Sequence, residues 1–428
     1  MPEIVEHFDK ISVIGLGYTG LPTAAIFADQ GIQVIGVDVD AGIVGVVNSG
    51  RAHFGEPNLD ALIRRVVSNG KLRAVTQIEP ADAFIIAVPT PIIRDHGEIH
   101  PDTSFVNRVA NALAPHLAAG NLVILESTVP VGTTERVAAI LAGLRPDLSF
   151  PQQSGEMAQV NIAHCPERVL PGQILQEVIH NARVIGGMTR RCAQRAVALY
   201  KTCVRGECRV TDTRTAELAK LAENAYRDVN IAFANELSLI CDKLQINVWE
   251  LIAMSNLHPR VNILNPGPGV GGHCIAVDPW FIFSTCPDEA RLIRQARLVN
   301  DSIPEAVCAK VRAKASQLDR PIMACLGLSY KRDVSDLRES PAVAIVETLA
   351  RENMGQILVV EPHIKELPEE LRQLGLGLSD FDTAISAAHI VVLLVDHAAF
   401  RRLNLSRLHG KSLIDTRGLW SYGPAAVD

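Results

Sequence analysis

The sequence predicts an α/β chain: two doubly wound, mostly parallel sheet domains joined by a long helix in a helical middle region. Three features predict it. Short apolar, β-branched runs alternate with helical patterns through the first part of the chain, as strands buried on both faces do. Residues 213–243 then run without a glycine or a proline. A second alternation of strands and helices begins at residue 321.

Taken in order, Lys10–Ile14 reads as a strand, 15–20 as a glycine loop, 21–30 as a helix and 33–38 as the next strand. Residues 83–88 and 122–126 are further apolar strands that end in polar residues. Within 213–243, Leu218, Leu221, Ala222, Ala225, Val229, Ala232, Phe233 and Leu237 form an apolar stripe at helical spacing. A helix of that length spans roughly 45 Å. One small domain would not cover it, so it is expected to connect two domains and pack on a partner. Beyond a glycine-rich stretch at 266–272, residues 321–328 read as a strand, and Ser340-Pro341 as an N-cap with a first-turn proline. Gln356–Val360, 390–395 and Ser412–Asp415 complete the second set of strands. The expected domains are 1–210, 211–312 and 313–428.

Composition narrows the class. The chain has 428 residues, 48% hydrophobic and 21% charged, with a net charge of −6, which is ordinary for a soluble globular protein. It carries no long basic run, so a nucleic-acid partner is not expected. Nine cysteines, an odd count without a C-x-x-C pair, read as reduced thiols in a cytoplasmic protein. No secretory pattern opens the sequence, and no apolar run approaches the ~18–20 residues of a membrane span.

Gly15-Leu16-Gly17-Tyr18-Thr19-Gly20 is a G-x-G-x-x-G loop between a strand and a helix. The first glycine makes the turn, the second lets the backbone approach a pyrophosphate, and the third lets helix and strand pack closely. Asp38 closes the second strand. Its carboxylate suits the adenosine ribose hydroxyls and opposes a 2′-phosphate, so NAD is expected over NADP. Thr90 and Thr128 follow later strands of the same domain, where hydroxyls reach a cofactor or simply cap turns.

Residues 266–272 are rich in glycine and lead through His273 to Cys274, with Asp278 four residues on. Most cysteines are small buried hydrophobes, but glycines cost stability unless geometry requires them, so Cys274 stands out as a nucleophile. Lys220, Asn224 and Arg227 fall on one polar face of the long helix; the plain alternative is a solvated charged face. His258, His273 and Cys274 lack the paired spacing of a zinc site, and no metal is expected.

These features together resemble the UDP-glucose/GDP-mannose dehydrogenase family from about Lys10 to Trp420. Several stretches resemble its UDP-N-acetyl-D-mannosamine-oxidising branch. They are Cys165-Pro166-Glu167-Arg168-Val169-Leu170-Pro171-Gly172, the run from Arg227 to Glu236, His258-Pro259-Arg260-Val261-Asn262-Ile263, the run from Gly271 to Trp280, and Asp336-Leu337-Arg338-Glu339-Ser340-Pro341. The resemblance implies two Rossmann-like domains, the N-terminal one holding NAD and the C-terminal one a UDP-sugar, around a dimerising middle. It implies oxidation of a primary alcohol to a carboxylate through a covalent adduct on Cys274. Lys220 is then the acid/base, Asn224 its hydrogen-bonding companion, Asp278 the carboxylate beside the cysteine, and Glu167 an aid to water attack. Gly15, Gly17, Tyr18, Thr19, Gly20, Asp38, Thr90, Thr128 and Arg338 are expected at the cofactor. Arg168, Val169, Lys220, Asn224, Arg227, His258, Arg260, Gly271, Tyr330, Lys331 and Arg417 are expected at the substrate, and the resemblance implies a homodimer in which Arg260 reaches the partner's site. Arg417 and Tyr330 depart from the lysine and phenylalanine expected there.

Two other readings stay open. A single-step β-hydroxyacid dehydrogenase shares the N-terminal fold and a lysine but needs no Cys274. A non-catalytic NAD-binding module predicts damaged catalytic positions, whereas Cys274, Lys220, Asn224 and Asp278 are all present. UDP-glucose and UDP-N-acetylgalactosamine are alternative substrates.

Overall fold

The computed structural model describes residues 7–95, 98–169, 172–272 and 274–420. The chain divides into two compact units, Met1–Glu223 with Trp280–Pro287, and Asn224–Pro279 with Asp288–Asp428.

The first unit is built on β1 (Lys10–Ile14), β2 (Gln33–Val37), β3 (Leu72–Val75), β4 (Ala83–Ile86), a side hairpin of β5 (Ile92–Asp95) and β6 (Glu98–Pro101), β7 (Leu122–Leu125), β8 (Asn161–His164), β9 (Arg183–Gly187) and β10 (Cys208–Asp212). Its main sheet runs β10-β9-β8-β7-β4-β1-β2-β3. Every pairing in it is parallel except β8 with β9. The strands read as continuous apolar runs because both faces are covered. Ile11 and Val13 enter one core cluster, while Ile14 and Phe84 enter the other. Chain order reverses between β1 and β4, the place where such sheets open a crevice at their carboxyl ends.

The second unit has an all-parallel sheet of β11 (Ile322–Leu326), β12 (Gln356–Val360), β13 (Ile390–Leu393) and β14 (Ser412–Asp415), in the order β12-β11-β13-β14. The reversal here lies between β11 and β13. The Pro341–Glu352 helix starts as its residues require, with Ser340 Oγ accepting from Ala342 N at 3.2 Å and Pro341 in the first turn.

The long helix runs Thr213–Leu244, 32 residues. Its stripe is only partly as expected. Leu221, Ala225 and Ala232 are buried, but Leu218 and Phe233 are exposed, and Tyr226, Ile240 and Leu244 join them in the open.

Candidate functional site

The glycine loop behaves as its pattern requires. Gly15 has φ +94°, and a Cβ there would sit 2.5 Å from the carbonyl oxygen of Ala87, after β4. A Cβ on Gly20 would collide with the carbonyl of Gly15. At Gly17 a Cβ would meet nothing within 4 Å, so this glycine keeps open the space that a pyrophosphate would fill. The Gly20–Asp29 helix begins at Thr19 with no side-chain cap and no acid in its first turn, leaving its positive end turned to the loop. Asp38 Oδ2 accepts from Leu16 N at 2.9 Å and Oδ1 from Asp40 N at 3.0 Å, which fixes the carboxylate at the end of β2. Tyr18 stacks on Phe54 with ring centroids 4.2 Å apart. Thr90 Oγ1 donates to the Thr128 carbonyl at 2.5 Å, tying the ends of β4 and β7 together. These residues fit a dinucleotide.

The second unit repeats the construction and then closes it. Gly327 N donates to Val360 O and Leu328 N to Glu361 Oε2 at 2.7 Å, as Gly15 and Leu16 do to Val37 and Asp38. Glu361, however, is buried and also takes Ser329 N at 3.1 Å and His397 Nε2 at 3.0 Å. Its acceptors are used internally, so no acid is offered to a ribose there.

Cys274 is half-buried in the turn that enters the Asp278–Thr285 helix, its carbonyl accepting from Val277 N at 3.0 Å and Asp278 N at 2.9 Å. Asn224 and Asp278, both buried, share a hydrogen bond from Nδ2 to Oδ2 of 2.6 Å. Burial holds other thiols out of use: Cys165 and Cys325 are pushed up to about 12.

The loop before Cys274 is held from behind. Gly267 N donates to Asn235 Oδ1 at 2.9 Å, Asn235 Nδ2 to Asn300 Oδ1 at 2.9 Å, and Asn300 Nδ2 to Asp228 Oδ1 at 2.8 Å. Arg297 Nη1 reaches the same Asp228 oxygen at 2.5 Å. A Cβ on Gly271 would lie 2.5 Å from Glu339 O and 2.7 Å from Pro341 Cδ, and one on Gly272 would lie 3.0 Å from the Tyr330 ring. These glycines therefore serve close approach to the protein's own chain, unlike Gly17. Arg417 lies against Gly267, where a Cβ would be 2.6 Å from Nη1, and its Nε donates to Asp396 at 3.1 Å.

Cys274, Asn224, Asp278, Gly271, Tyr330 and Arg417 thus gather within the second unit. Lys331 is half-buried after β11, with its carbonyl accepting from Ser329 Oγ at 2.6 Å. Arg227, His258 and Arg260 are exposed. Arg260 N donates to His258 Nδ1 at 3.3 Å. Arg338 pairs with Asp336. Lys220, half-buried, is one turn before Asn224 on the same helix. In the first unit Glu167 accepts from Arg168 N and Arg183, Arg168 reaches Glu223 and Ala182 O, and Val169 packs against the core. Leu170, Pro171 and His273 lie outside the described residues.

Three family models match most of the chain: the NAD binding domain of the UDP-glucose/GDP-mannose dehydrogenase family over residues 9–204, its central domain over 214–302 and its UDP binding domain over 324–422. The chain belongs to this family. Its cofactor is NAD. It is 56% identical to an NDP-N-acetyl-D-galactosaminuronic acid dehydrogenase of Ralstonia nicotianae, covering 97% of each chain. It is 55% identical to a UDP-N-acetyl-D-mannosamine dehydrogenase of Yersinia pestis, covering 96% of this chain and 99% of the other. A UDP-D-ManNAc dehydrogenase from Pyrococcus horikoshii superposes with a TM-score of 0.85 at 37% identity, over 96% of both chains.

In this member of the family, Asp333, His363 and His397 come close enough to suggest a metal site. His397 argues against it. Its Nδ1 accepts from Asp333 N at 2.9 Å, and its Nε2–H donates to Glu361 Oε2 at 3.0 Å, so the ring has no lone pair to spare. No described helix is long and apolar enough to cross a membrane.

The structure also brings forward groups that sequence reasoning did not single out. Glu217, buried one turn before Lys220, accepts from Gly132 N, Thr134 N and Thr134 Oγ1 at 2.6–2.8 Å. It anchors the start of the long helix to the loop after Thr128. Glu126 and Arg183 form a second buried group. A charge directly after an apolar strand was the one signal available for Glu126.

Proposed function

We propose that the chain oxidises UDP-N-acetyl-D-mannosamine to UDP-N-acetyl-D-mannosaminuronate in the cytoplasm, for polysaccharide biosynthesis, as a homodimer. In this reading residues 1–210 hold NAD, 211–312 carry the catalytic groups and the dimer contact, and 313–428 bind the UDP-sugar. The observation that carries it is the buried Asn224–Asp278 hydrogen bond of 2.6 Å beside Cys274. A carboxylate and an amide desolvated together next to a half-buried thiol suit covalent chemistry at a carbonyl.

NAD supplies the acceptor for each of two hydrides. The chain's own groups do the rest. Lys220 takes the proton of the sugar's primary hydroxyl, directly or through water with Asp278. The Cys274 thiolate adds to the aldehyde carbon, and the thiohemiacetal loses the second hydride to become a thioester. Lys220 and Asn224 hold the transient oxyanions. Glu167 assists the water that releases the carboxylate. Arg417, planar and already beside Gly267, suits the diphosphate.

Arg227 and His258 supply donors for an N-acetyl carbonyl, which a glucose hydroxyl would leave unmatched. Such a mismatch is often worth ~10⁴-fold in discrimination. The Ralstonia relative favours a second reading, an N-acetylgalactosamine sugar with the same chemistry. The test is kcat/KM for UDP-N-acetylmannosamine, UDP-N-acetylgalactosamine, UDP-glucose and GDP-mannose at saturating NAD, with NADH counted per sugar. The first substrate is expected to lead with two NADH per turnover, and Cys274→Ala to form no acid. A lead for the galactosamine sugar would select the second reading. A lead for UDP-glucose would overturn both, and a stoichiometry of one would favour a single-step dehydrogenase.

A further inference from the structure

Arg183 is buried at the start of β9 between two carboxylates. Its Nη2 donates to Glu167 Oε2 at 2.6 Å, and its Nη1 lies 3.5 Å from Glu126 Oε1. Glu126 is buried at the end of β7, where Tyr200 OH donates to its Oε1 at 3.1 Å and Thr23 Oγ1 to its Oε2 at 3.3 Å. Thr23 belongs to the Gly20–Asp29 helix behind the glycine loop. The Arg183 guanidinium also lies over the Tyr200 ring, 4.6 Å from its centroid.

A purely structural ion pair does not account for this arrangement. Glu167 alone balances Arg183, and a second desolvated carboxylate is costly. A glutamine at 126 would accept from Tyr200 and Thr23 without that charge. We propose that Arg183 and Glu126 are positioning residues for the hydrolytic half of the reaction, Arg183 aiming the Glu167 carboxylate and Glu126 setting how firmly Arg183 holds it. This rests on the proposed reaction.

In that step water adds to the thioester carbonyl carbon. A C–O bond forms, Glu167 takes one water proton, the C–S bond breaks and its electron pair leaves on the Cys274 sulfur. The carboxylic acid then loses its proton to solvent. A guanidinium on Glu167 fixes the base but weakens it. A charged Glu126 competes for the guanidinium and restores basicity. Burial first, then the neighbouring Glu167, push Glu126 up to about 7 against the pull of Arg183, Tyr200 and Thr23. The other groups facing it stay protonated: burial pushes Cys165 and Cys203 up to about 12 and Tyr200 well above its usual value. Hydrolysis therefore quickens as Glu126 ionises.

The full chain, with saturating NAD and nucleotide sugar, is quenched at intervals. The protein is weighed intact for a covalent adduct while NADH is followed. Arg183→Lys should release the first NADH at the wild-type rate with an unchanged KM, yet lose its adduct about 10- to 100-fold more slowly. Glu126→Gln, nearly isosteric, should remove the rise in adduct hydrolysis through about pH 7 that the wild type shows. Equal slowing of both half-reactions by Arg183→Lys, or a wild-type pH profile in Glu126→Gln, would overturn the inference. If Arg183→Lys does not fold, the Glu126→Gln profile decides alone. A wild type that forms no adduct and one NADH sinks the proposed reaction itself, a result distinct from either variant's.

Discussion

Asp228 is fully buried on the long helix, and what it touches leads to the cysteine loop. Asn300 and Asn235 carry its hydrogen bonding to Gly267 N, while Arg297 balances its charge. Burial pushes Asp228 up to about 6, although Arg297 and Asn300 pull it down. An acid with a raised folded pKa stabilises the fold fully below its unfolded value, ~3.9. That contribution is lost as pH rises through the folded value. The wild type should therefore lose up to about 3 kcal/mol relative to Asp228→Asn as pH rises from ~4 to ~7. The asparagine leaves Arg297 charged beside Asp301 at every pH, so that cost is a constant offset. Urea denaturation of both proteins across this range checks the slope, and a pH-independent difference would contradict the burial argument. The network was not legible in the sequence. Asn300 and Asp228 are 72 residues apart, as Arg183 and Glu126 are 57, and spacing along a chain carries no sign of such pairs.

Elements were far more legible than pairs. The strands at Lys10–Ile14, Gln356–Val360 and Ser412–Asp415 and the helix beginning at Pro341 lie where apolar runs and the Ser-Pro cap put them, because those signals are local. Strands β3, β8, β9 and β10 of the main sheet and the β5–β6 hairpin were not expected from the sequence. β9 carries a buried arginine and two glycines, and β10 is an edge strand of mixed polarity, so neither looks like a buried apolar run. The glycine-rich loops were recognised, but the same residue does opposite work in each. Gly17 faces open space, whereas Gly271 is pressed against the turn at Glu339 and Pro341. Gly17→Ala should leave the melting temperature unchanged and raise KM for NAD, since its methyl enters the pyrophosphate's space. Gly271→Ala should lower stability by about 1–3 kcal/mol, because backbone must move to admit the methyl. It should also lower kcat, because Cys274 follows three residues later. Paired melting curves and NAD titrations test this. A destabilised Gly17→Ala with normal NAD affinity would mean that its space belongs to the fold.

At the scale of the whole molecule, the long helix carries a row of apolar side chains that are exposed among the described residues. Tyr226, Phe233, Ile240 and Leu244 are 69%, 52%, 45% and 60% exposed on the long helix. Their spacing of seven, seven and four keeps them in one row, drifting only slightly around the helix. A row that long and apolar on one helix fits a second copy of the same helix across a two-fold axis, where each residue meets its own counterpart or a close neighbour. The sequence pattern anticipated an uncovered stripe but chose partly different residues. Leu221, Ala225 and Ala232 turn inward, and periodicity alone does not say which of two apolar arcs meets the protein's own core. Phe233→Glu with Ile240→Glu should therefore yield a monomer in sedimentation equilibrium with its far-ultraviolet dichroism intact. Arg260, exposed in the same unit, gives the functional counterpart. If it reaches the partner's substrate, Arg260→Ala and Cys274→Ala proteins are each inactive, but mixed dimers carry one intact site. Random exchange would restore about a quarter of the wild-type sites. Activity that stays at zero after subunit exchange, confirmed by differential tagging, would confine Arg260 to its own chain while leaving the helix contact to the sedimentation result.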